Sequence, residues 1–212
     1  MSETAIIDYG VGNLFSLASS LRYIGNEAVV TRDPDKIRAA KRIILPGVGA
    51  FGDAADKLAA TGLIPILNEQ VAAGKPLLGI CLGMQLLFEK SYEFGEHRGL
   101  GYIPGSVCPM EPDLDALGLN LKIPHMGWNS LLVNRPDCPI LKYTPDGAFV
   151  YFVHSFYAKD CADAVVAEAE YGVRVPAVVA RGNVYGCQFH PEKSGQVGLA
   201  ILRAFTELGG QI

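Results

Sequence analysis

Pro76-Leu77-Leu78-Gly79-Ile80-Cys81-Leu82-Gly83-Met84-Gln85 is the stretch on which the fold turns. The apolar run Pro76–Ile80 reads as a buried strand, and Leu82–Lys90 reads as a helix that follows at once. Between them stands Gly79-x-Cys81-x-Gly83, the pattern of a nucleophile elbow with cysteine in the place of serine. So tight a turn strains the backbone of its central residue, and a side chain on either flank would collide; glycine removes the collision. An elbow of this kind presents its sulfur at the carboxyl end of the sheet, where open α/β sheets bind ligands. The helix N-terminus adds a positive partial charge that favours the thiolate. It also sets the Leu82 amide where it can donate to a developing oxyanion. The competing reading is a structural cysteine beside packing glycines; the strand before it and the helix after it weigh against that.

A cysteine nucleophile needs a base, and the base needs an orienting group. Of the four histidines, His97 lies in a polar, Gly-rich loop and reads as a solvated surface residue. His125, in Pro124-His125-Met126-Gly127-Trp128, has no acid nearby in sequence. His154 ends an apolar run and reads as a core or site-lining residue. His190 ends the run Val184–Phe189 and is followed across Pro191 by Glu192. The proline limits the local backbone, so Glu192 can reach back to the imidazole and fix its tautomer. Cys81, His190 and Glu192 are therefore the expected triad.

Outward from the elbow, strands and helices alternate through the first ninety residues. Ala5–Asp8, Ala28–Thr31, Arg42–Leu45 and Pro76–Ile80 are apolar runs. Between them come a helix capped by Asn13 with Leu14, Leu17, Leu21 and Ile24 on one face, a short one opening at Asp33-Pro34, and a helical region over 53–73 broken near Gly62 and Pro65. Such alternation predicts a parallel sheet covered on both faces. Beyond Gly95 the chain turns Pro- and Gly-rich. The segments Asn129–Val133, Ala148–Val153, Ala164–Glu170, Ala177–Ala180 and Val184–Phe189 then read as antiparallel strands that extend the sheet or form a flap beside it. A last helix runs from about Ser194 to Leu208. The expected fold is α/β: a three-layer sandwich with a mostly parallel central sheet and a smaller antiparallel β extension, forming one domain over residues 1–212.

The chain has 212 residues, half of them apolar, and a net charge of −4. That composition supports a sizeable core and argues against disorder and against a basic nucleic-acid footprint. The acidic start, Met1-Ser2-Glu3-Thr4, is unlike a signal peptide, and no apolar stretch reaches the ~18 residues of a membrane helix. A cytoplasmic location is expected. Cys81, Cys108, Cys138, Cys161 and Cys187 are odd in number and scattered, which argues against a disulfide frame or a zinc site. No metal and no cofactor is expected. Gly10-Val11-Gly12 hints at a dinucleotide loop, but Phe15 stands where the third glycine should be.

The elbow Gly79–Gln85 together with Gln188-Phe189-His190-Pro191-Glu192 resembles the class I (triad) glutamine amidotransferases. Within that family four segments resemble the glutaminase subunits of imidazole glycerol phosphate synthases: Ile6–Leu14, Leu45-Pro46-Gly47-Val48-Gly49, Pro124–Asn129 and Tyr151-Phe152-Val153-His154-Ser155. The resemblance implies hydrolysis of glutamine through a cysteinyl thioester. The oxyanion would be held at Leu82 and in the Gly47-Val48-Gly49 loop, and the glutamine gripped by Gln85 and the main chain at Ser155 and Phe156. Members often carry Tyr where Phe156 stands, so a hydroxyl role there is absent from this chain. The resemblance also implies a heterodimer with a (β/α)₈-barrel cyclase subunit. That subunit would receive the ammonia and make imidazole glycerol phosphate and an aminoimidazole carboxamide ribotide in histidine biosynthesis. Trp128, Asn129, Tyr151 and Lys193 are the implied interface residues. The glutaminase component of another complex, a non-enzymatic relative and a stand-alone cysteine hydrolase are the alternatives. The first would typically show His rather than Met84 before Gln85, and the second would have lost a triad residue.

Overall fold

The computed structural model describes residues 3–209; the expected extent of 1–212 includes residues that lie outside them. In chain order the elements are β1 (Thr4–Ile7), α1 (Leu14–Tyr23), β2 (Ala28–Thr31), α2 (Pro34–Ala39), β3 (Arg42–Gly47), α3 (Phe51–Ala60) and α4 (Ile64–Ala72). Next come β4 (Leu77–Cys81), α5 (Leu82–Gln85), β5 (Phe88–Ser91), β6 (His97–Arg98), β7 (Ile103–Pro109), α6 (Glu111–Ala116) and β8 (His125–Ser130). The chain continues through β9 (Leu132–Val133), β10 (Phe149–His154), β11 (Phe156–Lys159), β12 (Val165–Tyr171), β13 (Val173–Arg181), β14 (Val184–Cys187) and α7 (Gly195–Thr206).

The main sheet runs in the order β2-β1-β3-β4-β14-β13-β12-β9. Its first five strands are parallel and the last three join antiparallel. Successive strand residues face opposite sides, and both sides here are buried. Ile7, Ile43, Leu45 and Leu77 meet Ile37, Phe51, Leu58 and Leu67 from α2, α3 and α4 in one core. Ile6, Ile44, Leu78 and Ile80 meet Leu17, Leu21, Ile201, Leu202 and Phe205 from α1 and α7 in another. The apolar runs are continuous because each strand feeds two cores, which makes the three layers. Two smaller sheets stand beside this frame: β10 with β8, and β11-β7-β5-β6.

Four local expectations are corrected. The helix expected over Leu82–Lys90 is one turn, α5, and the chain then becomes β5. The carbonyls of residues 86–89, which a longer helix would use internally, instead accept from Leu100, Ile103, Gly101 and Gly99. Leu86, Leu87 and Phe88 are all buried, so tertiary pairing overrides helical propensity there. Asn13 sits at the cap position of α1, but its side chain makes no capping bond and turns to Glu192. The run Asn129–Val133 is split, with Asn129 in β8 and Leu132–Val133 in β9, on different sheets. His97 is not solvated: it lies in β6, half-buried, with its ring against Gly52 and beside Phe51.

The sharpest steric demand falls at the elbow. A Cβ on Gly83 would overlap the Leu45 carbonyl oxygen, and one on Gly79 would lie 2.6 Å from the Gly83 carbonyl oxygen. Backbone atoms cannot yield as a side-chain tip can. Gly83→Ala is expected to destabilise the fold by about 3 kcal/mol or more, a drop of roughly 6–12 °C in Tm for a chain of this size. Thermal unfolding checks this; a Tm within two degrees of the parent contradicts the packing.

Candidate active site

Cys81 closes β4 with φ 53° and ψ −112°, a conformation that L residues rarely adopt. It is held because β4 pairs with β3 and β14 on its two sides, in register to Gly47↔Cys81 and Cys187↔Ile80. The thiol opens into a cleft of about 390 Å³ lined by Val48, Gly49, Leu82, Gln85, His154 and His190, among others. Its Sγ lies 3.9 Å from the Val153 carbonyl oxygen.

His190 follows β14, the strand next to β4, so strand order brings the two side chains to one mouth. Its backbone is pinned twice: its N–H donates to Tyr151 O at 3.0 Å, and its carbonyl accepts from Ser194 Oγ at 2.6 Å. A single 3₁₀ turn, Pro191–Lys193, brings Glu192 back, so that His190 Nδ1 and Glu192 Oε1 stand 2.9 Å apart with both side chains buried. Asn13 Nδ2 donates to the same carboxylate oxygen at 3.4 Å. With Nδ1 held by the carboxylate, Nε2 is left for the thiol. Burial alone would lower the pKa of His190. The hydrogen bonds and negative charges of Cys81 and Glu192 outweigh it and lift the value to about 9. The site thus favours the imidazolium form of His190.

The remaining expected residues divide. Val48, Gly49 and Leu82 line the cleft, whereas Gly47 lies beneath it, packed on Gly83 N, Tyr9 and Leu82. The Tyr9 hydroxyl donates to Pro46 O at 2.6 Å, tethering the start of that loop. Ser155 and Phe156 line the cleft with Gln85. Both N–H groups of the Gln85 amide are used internally, one to Phe156 O and one to Gln188 Oε1, each at 3.1 Å. Trp128, Asn129 and Tyr151 stand on the β8–β10 ribbon, and Trp128 meets Tyr151 edge-on across it. Met126, Trp128 and Phe149 are each more than half exposed on this ribbon, and Lys193 is exposed on the turn that follows His190.

Two residues escaped sequence reasoning. Glu93 lines the cleft while its Oε2 accepts from Phe51 N at 2.7 Å, and burial raises its carboxyl pKa. Nothing in Tyr92-Glu93-Phe94 signals this, because the position of Glu93 depends on the path of β5, where residue propensity favours helix. Gln188, fully buried, donates Nε2 to Cys81 Sγ at 3.8 Å. Its place in the chain, two residues before His190, was the available signal. Among the described residues no group of three or more His, Cys, Asp or Glu side chains is placed to hold a metal ion. Cys108, Cys138, Cys161 and Cys187 are free thiols. Burial pushes up the last three, Cys161 to about 11 with help from the Asp160 and Glu168 charges, which leaves them protonated.

The model of the class-I glutamine amidotransferase family matches residues 5–207. Imidazole glycerol phosphate synthase subunit HisH of Bacillus cereus is 51% identical over 95% of this chain and 92% of its own length. The subunit of the same name from Bacillus subtilis is 47% identical over 97% and 96%. The chain belongs to the class-I glutamine amidotransferases, in the HisH family. The fold agrees: this amidotransferase superposes on a structure described as PurLQS from Thermotoga maritima with a TM-score of 0.71 over 98% of its length, at 23% identity.

His125 and His154 form a second histidine arrangement in this amidotransferase, beside the cleft. His154 Nδ1 lies 2.9 Å from Phe156 O, so it must carry the proton. Its Nε2 then accepts from His125 Nδ1 at 3.0 Å, and His125 Nε2 accepts from Asn129 Nδ2 at 3.3 Å. Every tautomer in the chain follows from one carbonyl. Burial lowers the His125 pKa to about 4. Burial and the neighbouring His125 charge lower that of His154 to about 3. Any stability linked to these rings is complete above the unfolded value of about 6.5 and is lost as pH falls, since only the unfolded chain takes up their protons there. NMR of the two imidazoles is expected to show neutral Nδ1–H forms from pH 8 to pH 5; titration with a midpoint near 6.5 overturns the chain of bonds.

Proposed function

We propose that the chain hydrolyses glutamine through Cys81, His190 and Glu192 and passes the ammonia to a (β/α)₈-barrel cyclase subunit. The observation that carries this reading is that the Cys81 thiol and the His190 imidazole line one cleft at the carboxyl ends of β4 and β14, with the Glu192 carboxylate 2.9 Å from the far nitrogen of the ring.

Cys81 attacks the side-chain carboxamide of glutamine while its proton rests on His190 Nε2. The C–S bond forms, and the carbonyl π pair moves onto oxygen. That oxyanion faces the Leu82 amide and the Val48–Gly49 loop, where glycine at Gly49 (φ 95°) permits a backbone that a side chain would strain. Collapse of the intermediate breaks the C–N bond, and the nitrogen leaves as ammonia with the proton from His190. A water then gives a proton to His190 and its oxygen to the thioester carbonyl. Breaking the C–S bond releases glutamate and restores the thiol. Glu192 keeps Nδ1 protonated and supports the ring's charge throughout.

Glutamine brings an ammonium group, and Glu93 is the acidic side chain on the cleft wall. We assign it to that group. The carbonyls of Ser155 and Phe156 are already occupied, by Met110 N and by Gln85 and His154. This leaves backbone N–H groups of the segment to face the substrate carboxylate.

The barrel partner fits the ribbon's apolar face, where Met126, Trp128 and Phe149 are exposed, with Asn129 on the same ribbon and Lys193 exposed on the turn after His190; exposed aromatic anchors of this kind concentrate binding energy. Ammonia is protonated in neutral water and then loses its nucleophilicity, so a closed handover suits the chemistry.

Three outcomes are expected in a glutamate-release assay with a candidate cyclase added. Cys81→Ala abolishes release. Glu192→Gln lowers kcat roughly 100-fold or more. Glu93→Gln raises KM for glutamine about 10- to 100-fold with a smaller change in kcat, as the loss of one hydrogen bond to a charged group predicts. Co-purification with the cyclase and activation by it support the partner. Full turnover by the chain alone, or undiminished turnover in Cys81→Ala, refutes the reading.

A further inference from the structure

We infer that Gln188 is a positioning residue for the nucleophile: its side-chain amide, locked in one orientation by Gln85, donates a hydrogen bond to the Cys81 sulfur and stabilises the thiolate. This rests on the reading of Cys81 as the nucleophile and adds to it a group that the triad does not contain.

The orientation follows from which atoms can donate. The Phe156 carbonyl can only accept, so the group of Gln85 that faces it at 3.1 Å is the amide nitrogen. The same nitrogen stands 3.1 Å from the Gln188 side chain, so the atom facing it there is the Gln188 oxygen. The Gln188 nitrogen is thereby turned the other way, 3.8 Å from Cys81 Sγ. A flipped Gln188 would set two NH₂ groups against each other and leave its oxygen against a sulfur that must become an anion.

The surroundings prevent relaxation. Gln188 is fully buried and Gln85 nearly so. Gln188 N–H donates to Ala177 O at 2.9 Å, which ties the residue to β13 just beyond β14. His154 Nδ1 lies 2.9 Å from the same Phe156 oxygen, which fixes the acceptor from which the orientation is read. Burial matters because a donor aimed at a charge in a water-poor site acts with little screening. His190 and Gln188 then serve the sulfur differently: one accepts and returns its proton, while the other holds the anion without exchanging a proton.

The test compares Gln188→Met and Gln188→Glu with the parent. Methionine keeps the length and removes the donor. Glutamate still accepts from Gln85 and sets a carboxylate oxygen against the sulfur. The readout is the pH dependence of Cys81 alkylation by iodoacetamide, followed by mass spectrometry of the Cys81 peptide, with Tm recorded for each protein. The alkylation midpoint is expected to rise by about one pH unit in Gln188→Met, the size of one lost hydrogen bond to a charged group. It should rise further in Gln188→Glu. With the cyclase present, kcat for glutamate release is expected to fall about ten-fold in Gln188→Met, while KM stays within about two-fold.

A purely structural role would lower Tm without moving the midpoint, and an unmoved midpoint in a folded variant overturns the inference. In the parent protein, the Gln188 side-chain amide protons are expected to shift as Cys81 titrates. An amide that does not respond overturns the inference whether or not the variants fold. A parent Cys81 that resists alkylation at every pH overturns the nucleophile reading itself and is thereby distinguished from failure of the role of Gln188.

Discussion

The backbone of Cys81 is the constraint on which the rest of the site depends. At φ 53° and ψ −112° it sits where a non-glycine residue costs about 1–3 kcal/mol. That strain persists because β3 and β14 clamp β4 from both sides, and because Gly79 and Gly83 let the chain fold back on itself without collision. Remove either condition and the turn relaxes, taking with it the direction in which the sulfur points. The parallel sheet and its two cores are thus the means by which a strained thiol is held at the sheet's carboxyl edge.

Three histidines show how the same side chain is given opposite tasks by its surroundings. His190 is buried, yet two potentially anionic neighbours hold it in favour of the charged form. His125 and His154 are buried against each other and against rings: His125 is stacked on Phe152 and Tyr171 at centroid distances of 4.7 and 4.1 Å, with no carboxylate of the described residues hydrogen-bonded to either ring. Desolvation dominates there, and the pair is kept neutral, where it acts as a fixed sequence of donors and acceptors. The neutral pair runs from the β8 ribbon to the Phe156 carbonyl. The charged histidine stands across the cleft at the end of β14. A ring held in favour of its charged form and a neutral pair are therefore kept apart in the same neighbourhood.

Several polar groups around the thiol are paired across the chain, while Glu192 Oε2 is buried without a hydrogen-bond partner. Asn13, from the loop after β1, reaches Glu192; Tyr9 tethers Pro46; Glu93 meets the first amide of α3; Gln85 joins Phe156 to Gln188. Each contact crosses a long stretch of chain and ends near the cleft. Buried polar atoms are costly unless paired, so these bonds fix the geometry of the loops that the sheet alone leaves free.

The amino-acid sequence by itself determined the parts governed by local chemistry. Continuous apolar runs demanded a sheet buried on both faces, Gly79-x-Cys81-x-Gly83 demanded a tight turn, and a proline between His190 and Glu192 kept the acid within reach of the ring. Only the tertiary structure decided what depends on distant pairing. Leu86–Lys90 looks helical because Leu, Glu and Lys favour helix, but the N–H groups of Gly99, Leu100, Gly101 and Ile103 take up the carbonyls of residues 86–89 first. Glu93 enters the cleft because of that path, and no spacing in the sequence encodes it. Asn13 has the chemistry of a helix cap and spends its side chain on a carboxylate 179 positions away, since a buried anion rewards a donor more than an exposed helix end does. Local residue type sets what a side chain can do; the order of strands in the sheet sets which partner it does it with.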